Sequence, residues 1–512
     1  MNDNSNLSTK KKLKIAVIGS GPSGVAASYI LLKRSGSYVD MIDVGLEMDA
    51  ETVKLKESAK NTRHDIFLAQ IEKKRELLDK KNKSSIPQKM LFGSDFVYQK
   101  IAQVKAKIDN TVNLNFTFAK GGLGKIWGAN ISSILQKDIN NWPISEEELT
   151  SYFEQLEHIV PISSDKDTLG ERFKYQPKGK YTFPVSSSSQ KILDDSLENE
   201  KTLKDAGVYI GRAKLAISSK HTDLFQRCVS CGLCMHGCPH DSIFDPSIII
   251  DKYFKKNKSF KYLSNNLVLK IKEHESGKVI LTKRNTKDNS LEDATYDKVF
   301  VACGSIASTA LIVKSFSDCS QKVVIKDSQK YLFPFIVSKP TKKEKRNETT
   351  NTLAQLVLHI ENLKHTSKVV HIQLYSFNDL MAKPVRKFLG KKITNFLLFI
   401  FSPILDKVMI GMMYLHSETS GHLSLKVNPN DNVDIEISGK NSNLSDMVFK
   451  EVKDKINHYY KEIGGFIVAR FAIKQLPGES QHFGASMPMH ESPNGLETDI
   501  LGRPFNLKNT HV

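Results

Sequence analysis

Four cysteines stand within eleven residues, Cys228, Cys231, Cys234 and Cys238, and Pro239 follows the last. The spacing C-x2-C-x2-C-x3-C-P matches the bacterial ferredoxin run, in which soft thiolates on a short, Gly-rich stretch wrap an iron–sulfur cluster. In two-cluster ferredoxins the fourth Cys of such a run serves the other cluster, and this chain has no second run. Three arrangements stay open: a [4Fe–4S] cluster on all four thiolates, a [3Fe–4S] cluster on three, or recruitment of Cys303 or Cys319. Zinc more often takes two separated pairs. Inert structural thiols are a further alternative, and disulfides do not suit a reducing cytoplasm.

The second constellation is Gly19-Ser-Gly21-Pro-Ser23-Gly24. Gly19 allows a tight turn, Gly21 lets backbone approach a pyrophosphate, and Gly24 lets the following helix pack on a sheet. The helix N-terminus, with Ser23, then faces the phosphates. Asp43 lies nineteen residues past Gly24 at the end of the next apolar run, where a carboxylate accepts hydrogen bonds from the adenosine ribose. A dinucleotide site follows, although the turn alone does not separate FAD from NAD. A Gly-rich loop with no ligand is the bland alternative.

These residues need a scaffold, and the apolar pattern supplies one. Lys14–Ile18 and Val39–Ile42 read as strands around a helix over Val25–Leu32. Residues 46–90 look helical, with Leu55, Ile66, Leu68, Ile71 and Leu77 as the core face. A helix capped by Ser145 runs over 145–160. Tyr262–Glu273 and Lys278–Lys283 read as a strand pair. Lys298–Ala302, the turn at Gly304 and a helix over Ile306–Val313 form a second strand–Gly–helix unit. Leu353–Ile360 and Val369–Tyr375 are strands, Asn443–Ile463 is a helix, and the polar stretches 339–352 and 428–442 are loops.

Length and composition exclude other classes. The chain has 512 residues, 40% of them apolar and 25% charged, which fits a multidomain globular protein. The net charge is +18, from 74 basic and 56 acidic side chains. The excess is spread along the chain, as at Lys10–Lys12, Lys80–Lys83 and Lys342–Arg346, with no nucleic-acid-binding signature, so no nucleic-acid partner is expected. No stretch reaches the roughly 18 apolar residues of a membrane span, and no targeting segment is visible, so a cytoplasmic location is expected. Arg386, Lys387, Lys391 and Lys392 precede the apolar run Ile393–Leu405. Peripheral contact with an anionic membrane near 386–405 is one reading of this pattern, and a core helix with a solvated basic end is the other.

Phe118-Ala-Lys-Gly121-Gly122-Leu-Gly-Lys-Ile-Trp127-Gly128-Ala129-Asn130 resembles the segment lying along the flavin in the FAD-dependent glucose–methanol–choline oxidoreductase family. Val301–Ser308, with Gly304, looks like that family's second signature, and Val268 sits where a strand contacts the adenine end. Gln481-His482-Phe-Gly-Ala-Ser-Met-Pro-Met489 is similar to the segment bearing the active-site histidine.

The resemblance implies an α/β fold: a Rossmann-like FAD-binding domain assembled from discontinuous segments, with an α+β substrate domain on a mixed or antiparallel sheet. Residues 1–160 would begin the FAD domain. Residues 161–320 would continue it around a Cys-cluster insertion at 225–245. Residues 321–475 would form the substrate domain, and 476–512 an active-site segment. Gly121, Gly122, Trp127, Gly128, Ala129, Asn130, Val268 and Gly304 would join Gly19, Gly21, Ser23, Gly24 and Asp43 around FAD. Trp127 would shield the site, and His482 would take the hydroxyl proton of an alcohol, polyol or sugar.

Some dehydrogenases of the family carry a Cys-rich segment whose cluster takes electrons from the flavin. The quartet would then pass them to an external acceptor such as a cytochrome, a quinone or a ferredoxin-like protein. Relative to the family, the sequence stops where a further strand and a second active-site residue are expected. A truncated, non-catalytic or electron-transfer subunit is therefore one alternative. A reductase whose cluster feeds the flavin is the other.

Overall fold

Lys14–Ile18 and Tyr38–Ile42 are buried from their second residue onward, the near-continuous apolar pattern of parallel strands covered on both faces. The structure, a computed structural model, describes residues 12–34, 36–62, 64–79, 89–178, 182–316, 321–338, 352–377, 407–428 and 433–512. Cys319 and the basic-apolar stretch 386–405 lie outside them. The two strands centre a parallel sheet in the order Thr510–His511, Lys298–Val301, Lys14–Ile18, Tyr38–Ile42, Phe260–Leu263. Helix Pro22–Arg34 links the two central strands, and helix Ser305–Phe316 follows Lys298–Val301.

A three-stranded antiparallel sheet, Asn266–Glu273, Val279–Asn285 and Leu291–Tyr296, follows Phe260–Leu263. The expected pair beginning at Tyr262 is thus divided. Tyr262 belongs to the parallel sheet, and the chain turns at Asn265, whose φ is 59°. Helix Ser305–Phe316 is buried on two sides. Leu311 and Ile312 pack with the parallel and three-stranded sheets, and Ile306, Ala310 and Val313 with a further sheet. That sheet runs Phe483–Gly484, Val323–Asp327, His422–Asn428, Val433–Lys440, Val104–Ile108. Val433–Lys440 corrects the loop expected over 428–442. Buried Ile435 and Ile437 alternate with Asp434, Glu436 and Ser438, a period of two hidden within a polar composition.

The largest antiparallel sheet runs Gly465–Ile467, Lys330–Val337, Val408–Tyr414, Val370–Ser376, Ala354–Ile360, Val208–Arg212, with Ile473–Lys474 also paired to Lys330–Val337. Val208–Arg212 therefore joins this sheet, although its chain position lies within 161–320. One face buries Tyr331, Phe333, Phe335, Ile372, Leu374, Leu356 and Leu358 against helices Ser187–Glu198 and Asn443–His458. Phe333 and Phe335 are 1% and 0% exposed, each contributing about 1.5–3 kcal/mol of burial. Gly411 stands opposite Phe333, where any Cβ would lie 2.1 Å from the ring.

The N-terminal helical region forms two helices, Ala50–Ser58 and His64–Asp79. Ile71 and Phe67 are fully buried, whereas Ile66 is 46% exposed. Phe67 takes the core position expected of its neighbour because the larger ring meets Phe92 edge-on. Helix Glu146–Leu156 opens with a reciprocal capping box between Ser145 and Glu148. No helix among the described residues is long and apolar enough to cross a membrane.

Candidate active site

The carboxyl ends of the central parallel strands open onto one cavity, the place where open α/β sheets bind ligands. Its wall includes Gly19–Ser23, Ile42–Val44, Asn115–Ala119, Gly122, Val268 and Ala302–Ala307, with Val427 and Ile435 closing one side and Gln481 and Phe483 another. Gly19, Gly21, Ser23, Asp43, Gly122, Val268 and Gly304, drawn from distant stretches of sequence, therefore meet around one space.

The glycines divide by what surrounds them. Gly19 has a φ of +104°, and a Cβ there would lie 2.4 Å from the Ala302 oxygen. A Cβ on Gly24 would lie 2.0 Å from the Gly19 oxygen. These two lock the first turn to the second unit and the helix to the turn. Gly21 and Gly304 have no protein atom within 4 Å of a built Cβ, so both present bare backbone to the cavity. A Cβ on Gly122 would lie 3.2 Å from the Gly21 Cα, so the two glycine loops touch.

Neither helix that starts at the cavity, Pro22–Arg34 or Ser305–Phe316, carries an acidic residue in its first turn. Their unpaired N–H groups and partial positive charge favour an anion between them.

Asp43 ties these loops together. Ser20 Oγ donates to its carboxylate, and Tyr262 Oη donates at 3.1 Å. Ser20 Oγ also accepts the Gly121 N–H at 2.9 Å. Burial raises the Asp43 carboxyl to about 6, against the two hydroxyl donors that lower it. The backbone N–H groups of Val44 and Gly45 also donate to Asp43, so a ribose hydroxyl would share or displace one of these donors. Ser20 and Tyr262 were not singled out in the sequence. The cue for Ser20 is its place inside the glycine turn; Tyr262 carries none without knowledge of strand pairing.

Beyond Leu123 the flavin-type segment leaves the cavity wall. Gly121 is buried against Asp245 and Lys125. Trp127 turns toward the core: its indole N–H donates to the Phe244 carbonyl at 2.9 Å, and its ring stands edge-on to Phe244. The expectation that Trp127 shields the cavity therefore gives way to a packing role, set by the indole's need for an acceptor when half-buried. Gly128 is exposed, while Ala129 is fully buried with a left-handed φ of 54°. Asn130 has a buried Nδ2 without a hydrogen-bond partner among the described residues. An orphaned amide and two bare glycine backbones are features a polar, diphosphate-containing ligand such as FAD would complete.

His482 lies between this cavity and the largest sheet. Its neighbours Gln481 and Phe483 line the cavity, while its own ring stands edge-on to Tyr414 with centroids 5.2 Å apart. Gln481 and Ala485, with φ of 59° and 52°, bracket it in left-handed conformations, a strain that persists only when the surroundings hold it. The holder is Asp327. Its carboxylate accepts the Gly478 N–H at 2.8 Å and the Ser480 hydroxyl at 2.9 Å, and Ser480 Oγ accepts the His482 N–H at 3.0 Å. Desolvation and the charge of Lys330 hold the His482 imidazole below its usual range. The residue itself is exposed.

Across the sheet, Lys330, Tyr414, His371, His359 and Tyr209 stand directly opposite one another on five strands, on the face away from the helices. His482 adjoins one end of this row, and Arg172 stacks on Tyr209 at the other, 3.9 Å from the ring centre. Burial brings the Lys330 ammonium down to about 8. None of the row was singled out in the sequence; the histidines at 359 and 371 meet only through strand pairing.

The four clustered cysteines are free thiols. Burial raises Cys228 to about 11 and Cys231 to about 12. The Ser230 N–H reaches Cys228 Sγ at 3.4 Å, and the Ser242 N–H reaches Cys238 Sγ at 3.2 Å. Among the described residues no three His, Cys, Asp or Glu side chains are placed to hold a metal ion. The segment also ties neighbouring elements together. His236 accepts the Phe92 N–H at 2.7 Å, Lys56 pairs with Asp241 at 2.6 Å, and Leu233 and Cys234 enter two different cores. Cys303 lines the cavity, and burial raises its thiol to about 11.

The fold matches that of a crystal structure titled pyridoxine 4-oxidase from Mesorbium loti, with a TM-score of 0.55 and 12% identity over 98% of this chain and 93% of that one. No protein-family model and no curated protein matches the sequence. At this identity the likeness concerns the fold, an α/β chain with a Rossmann-like parallel sheet and further sheet-based layers.

Proposed function

We propose that the chain is an FAD-dependent oxidoreductase of the glucose–methanol–choline type, acting on a CH–OH group of an alcohol, polyol or sugar. The observation that carries this reading is the contact of Gly21 with Gly122, at a cavity bounded by two helix N-termini and Asp43. The pyridoxine 4-oxidase likeness adds a precedent in the same fold.

In this reading Gly21, Ser23, Gly122 and Gly304 approach the diphosphate, Asp43 accepts the ribose hydroxyls, Val268 packs at the adenine end, and Asn130 offers its free amide. A bound flavin supplies the acceptor for the hydride that leaves the substrate carbon. His482, neutral at working pH, accepts the hydroxyl proton of the same substrate, so that the C–H and O–H bonds break and a carbonyl forms. Asp327 positions His482 through Ser480. Electrons then leave to an external acceptor.

The test is titration of the purified chain with FAD, monitored by flavin fluorescence and equilibrium dialysis. Stoichiometric binding that ADP weakens by competition is the expected result. Absence of FAD binding, or preference for a nicotinamide dinucleotide, sinks the proposal and favours a nicotinamide-linked enzyme.

A second reading concerns the quartet. Backbone N–H groups reach the sulfurs of Cys228 and Cys238, and such bonds also tune iron–sulfur clusters. Iron and sulfide analysis of anaerobically purified protein decides between cluster ligands and a clasp. The proton and hydride steps above do not depend on it.

A further inference from the structure

The glycine segment borders a second cavity. Its volume is about 340 Å³, within the range of small-molecule sites. Gly122 and Leu123 line the first cavity, while Lys120 and Lys125 line this one, so one short stretch of chain separates the two. Helix Ala50–Ser58, the loop around Phe92, the end of the cysteine segment and helix Pro246–Lys252 supply the other walls. Leu91, Phe92, Phe96 and Phe244 give it an apolar part, and all four are buried. Phe92 has a φ of 51°, an outlier for a bulky residue that only its surroundings can hold.

Five lysines and five acids also line this cavity, and they match almost completely. Lys56 pairs with Asp241 at 2.6 Å, and Lys120 with Glu47 at 2.9 Å and Asp251 at 2.7 Å. Lys125 pairs with Asp245 at 2.7 Å, and Lys252 lies 4.0 Å from Asp241. The remaining acid, Glu57, pairs with Lys60 at 3.2 Å.

Lys89 is the exception. Its ammonium donates to the Trp127 carbonyl at 3.1 Å, and among the described residues no carboxylate forms an ion pair with it. Asp245, the carboxylate that acts on it through space, is already held by Lys125, by the Ser247 N–H and by the Ser247 hydroxyl. Lys89 is half-buried, and a cation drawn from water without a matching anion is costly. The charge left over is a single positive one. A carboxylate, with one negative charge, balances it, whereas a phosphate monoester brings nearly two.

We propose that this second cavity binds a small organic carboxylate with an aromatic or apolar body. The carboxylate meets Lys89, and the body packs against Leu91, Phe92, Phe96 and Phe244. Lys89 is then the anchor of a site separate from the proposed cofactor cavity.

The inference does not rest on the proposed function. Binding is read in the full chain without cofactor, so a failure to bind FAD leaves it standing. The probe is benzoate, titrated calorimetrically at physiological ionic strength, with benzylamine and inorganic phosphate as comparisons. One benzoate per chain is expected, with a dissociation constant of about 1 mM or below. Phosphate, which lacks the apolar body, should bind at least about tenfold more weakly. Benzylamine, which reverses the charge, should not saturate. Lys89→Met should weaken benzoate about ten- to a hundredfold, the effect of losing a charge-assisted hydrogen bond, and Lys89→Arg should retain most of the affinity. The contrast between benzoate and benzylamine is read in the parent chain and holds whether or not the variants fold. No saturation by about 10 mM benzoate, equal binding of benzylamine, or unaltered affinity in folded Lys89→Met overturns the proposal. The sulfurs of Cys234 and Cys238 also stand near this ammonium. Benzoate binding that appears only in Cys238→Ala would make a thiolate the partner of Lys89, and overturns the proposal equally.

Discussion

Gly21→Ala adds one methyl group at a position with no protein atom within 4 Å and no left-handed φ. The folded chain accepts it without collision, and alanine narrows the unfolded ensemble, so stability is unchanged or rises by up to about 1 kcal/mol. The methyl occupies the space through which a diphosphate would reach the Gly21 backbone. Displacing that group by a fraction of an ångström should weaken FAD by about 1.4–2.8 kcal/mol, ten- to a hundredfold.

Gly19→Ala makes the opposite perturbation. Its φ of +104° disfavours alanine by about 1–2 kcal/mol, and its methyl would meet the Ala302 oxygen at 2.4 Å. That neighbour is main chain in the second strand–turn unit, so relief requires two elements to separate. A loss of several kcal/mol lowers the melting temperature by about 2–4 °C for each. Thermal unfolding without cofactor and FAD titration read the two effects independently. Tight FAD binding by Gly21→Ala would refute the placement of the diphosphate. An unaltered melting temperature for Gly19→Ala would refute the interlocked turns.

Asp43 in the free chain titrates near 6, raised by burial, and only the carboxylate accepts two ribose hydroxyls. FAD should therefore bind more tightly as pH rises through 6, and Asp43→Asn should abolish that dependence; a pH-independent parent contradicts it. The same raised value means that the free folded chain holds an extra proton between 3.8 and about 6, so its stability falls as pH rises across that window. His482→Gln should lower kcat by about 10²- to 10⁴-fold with FAD affinity intact; equal turnover would remove it as the base. Because His482 is held below its usual range, the acid limb of kcat/KM should lie below pH 6, and a limb at or above 6.5 would contradict the environment found here. Asp327→Asn keeps one acceptor and turns its NH2 toward the other donor, and should cost about 1–3 kcal/mol of stability while lowering kcat. A stable variant with full turnover would show that Asp327 does not position His482.

Local constellations were legible in the sequence and long-range pairings were not. The turn Gly19–Gly24, Asp43 and the second turn at Gly304 could be read because each lies within a strand–turn–helix unit whose apolar pattern is continuous. Their meeting at one cavity depends on parallel pairing of Lys14–Ile18 with Lys298–Val301, which no local pattern states. Val433–Lys440 was hidden because its outward residues are charged. Trp127 was misplaced because a Gly-rich context says nothing of which way an indole turns. The row from Lys330 to Tyr209 was invisible because five separate strands supply one residue each. The Cys spacing was the most specific signal in the chain, and it fixes which groups are near without fixing what they enclose.

The most direct test of the central claim is anaerobic addition of primary and secondary alcohols, including sugars and pyridoxine-like alcohols, to the FAD-loaded chain, with the visible flavin absorption followed over time. The account predicts bleaching by a CH–OH substrate, formation of one carbonyl per flavin reduced, and a rate sharply lower in His482→Gln. Bleaching by a reduced nicotinamide dinucleotide alone, with no alcohol active and His482→Gln indistinguishable from the parent, would contradict it.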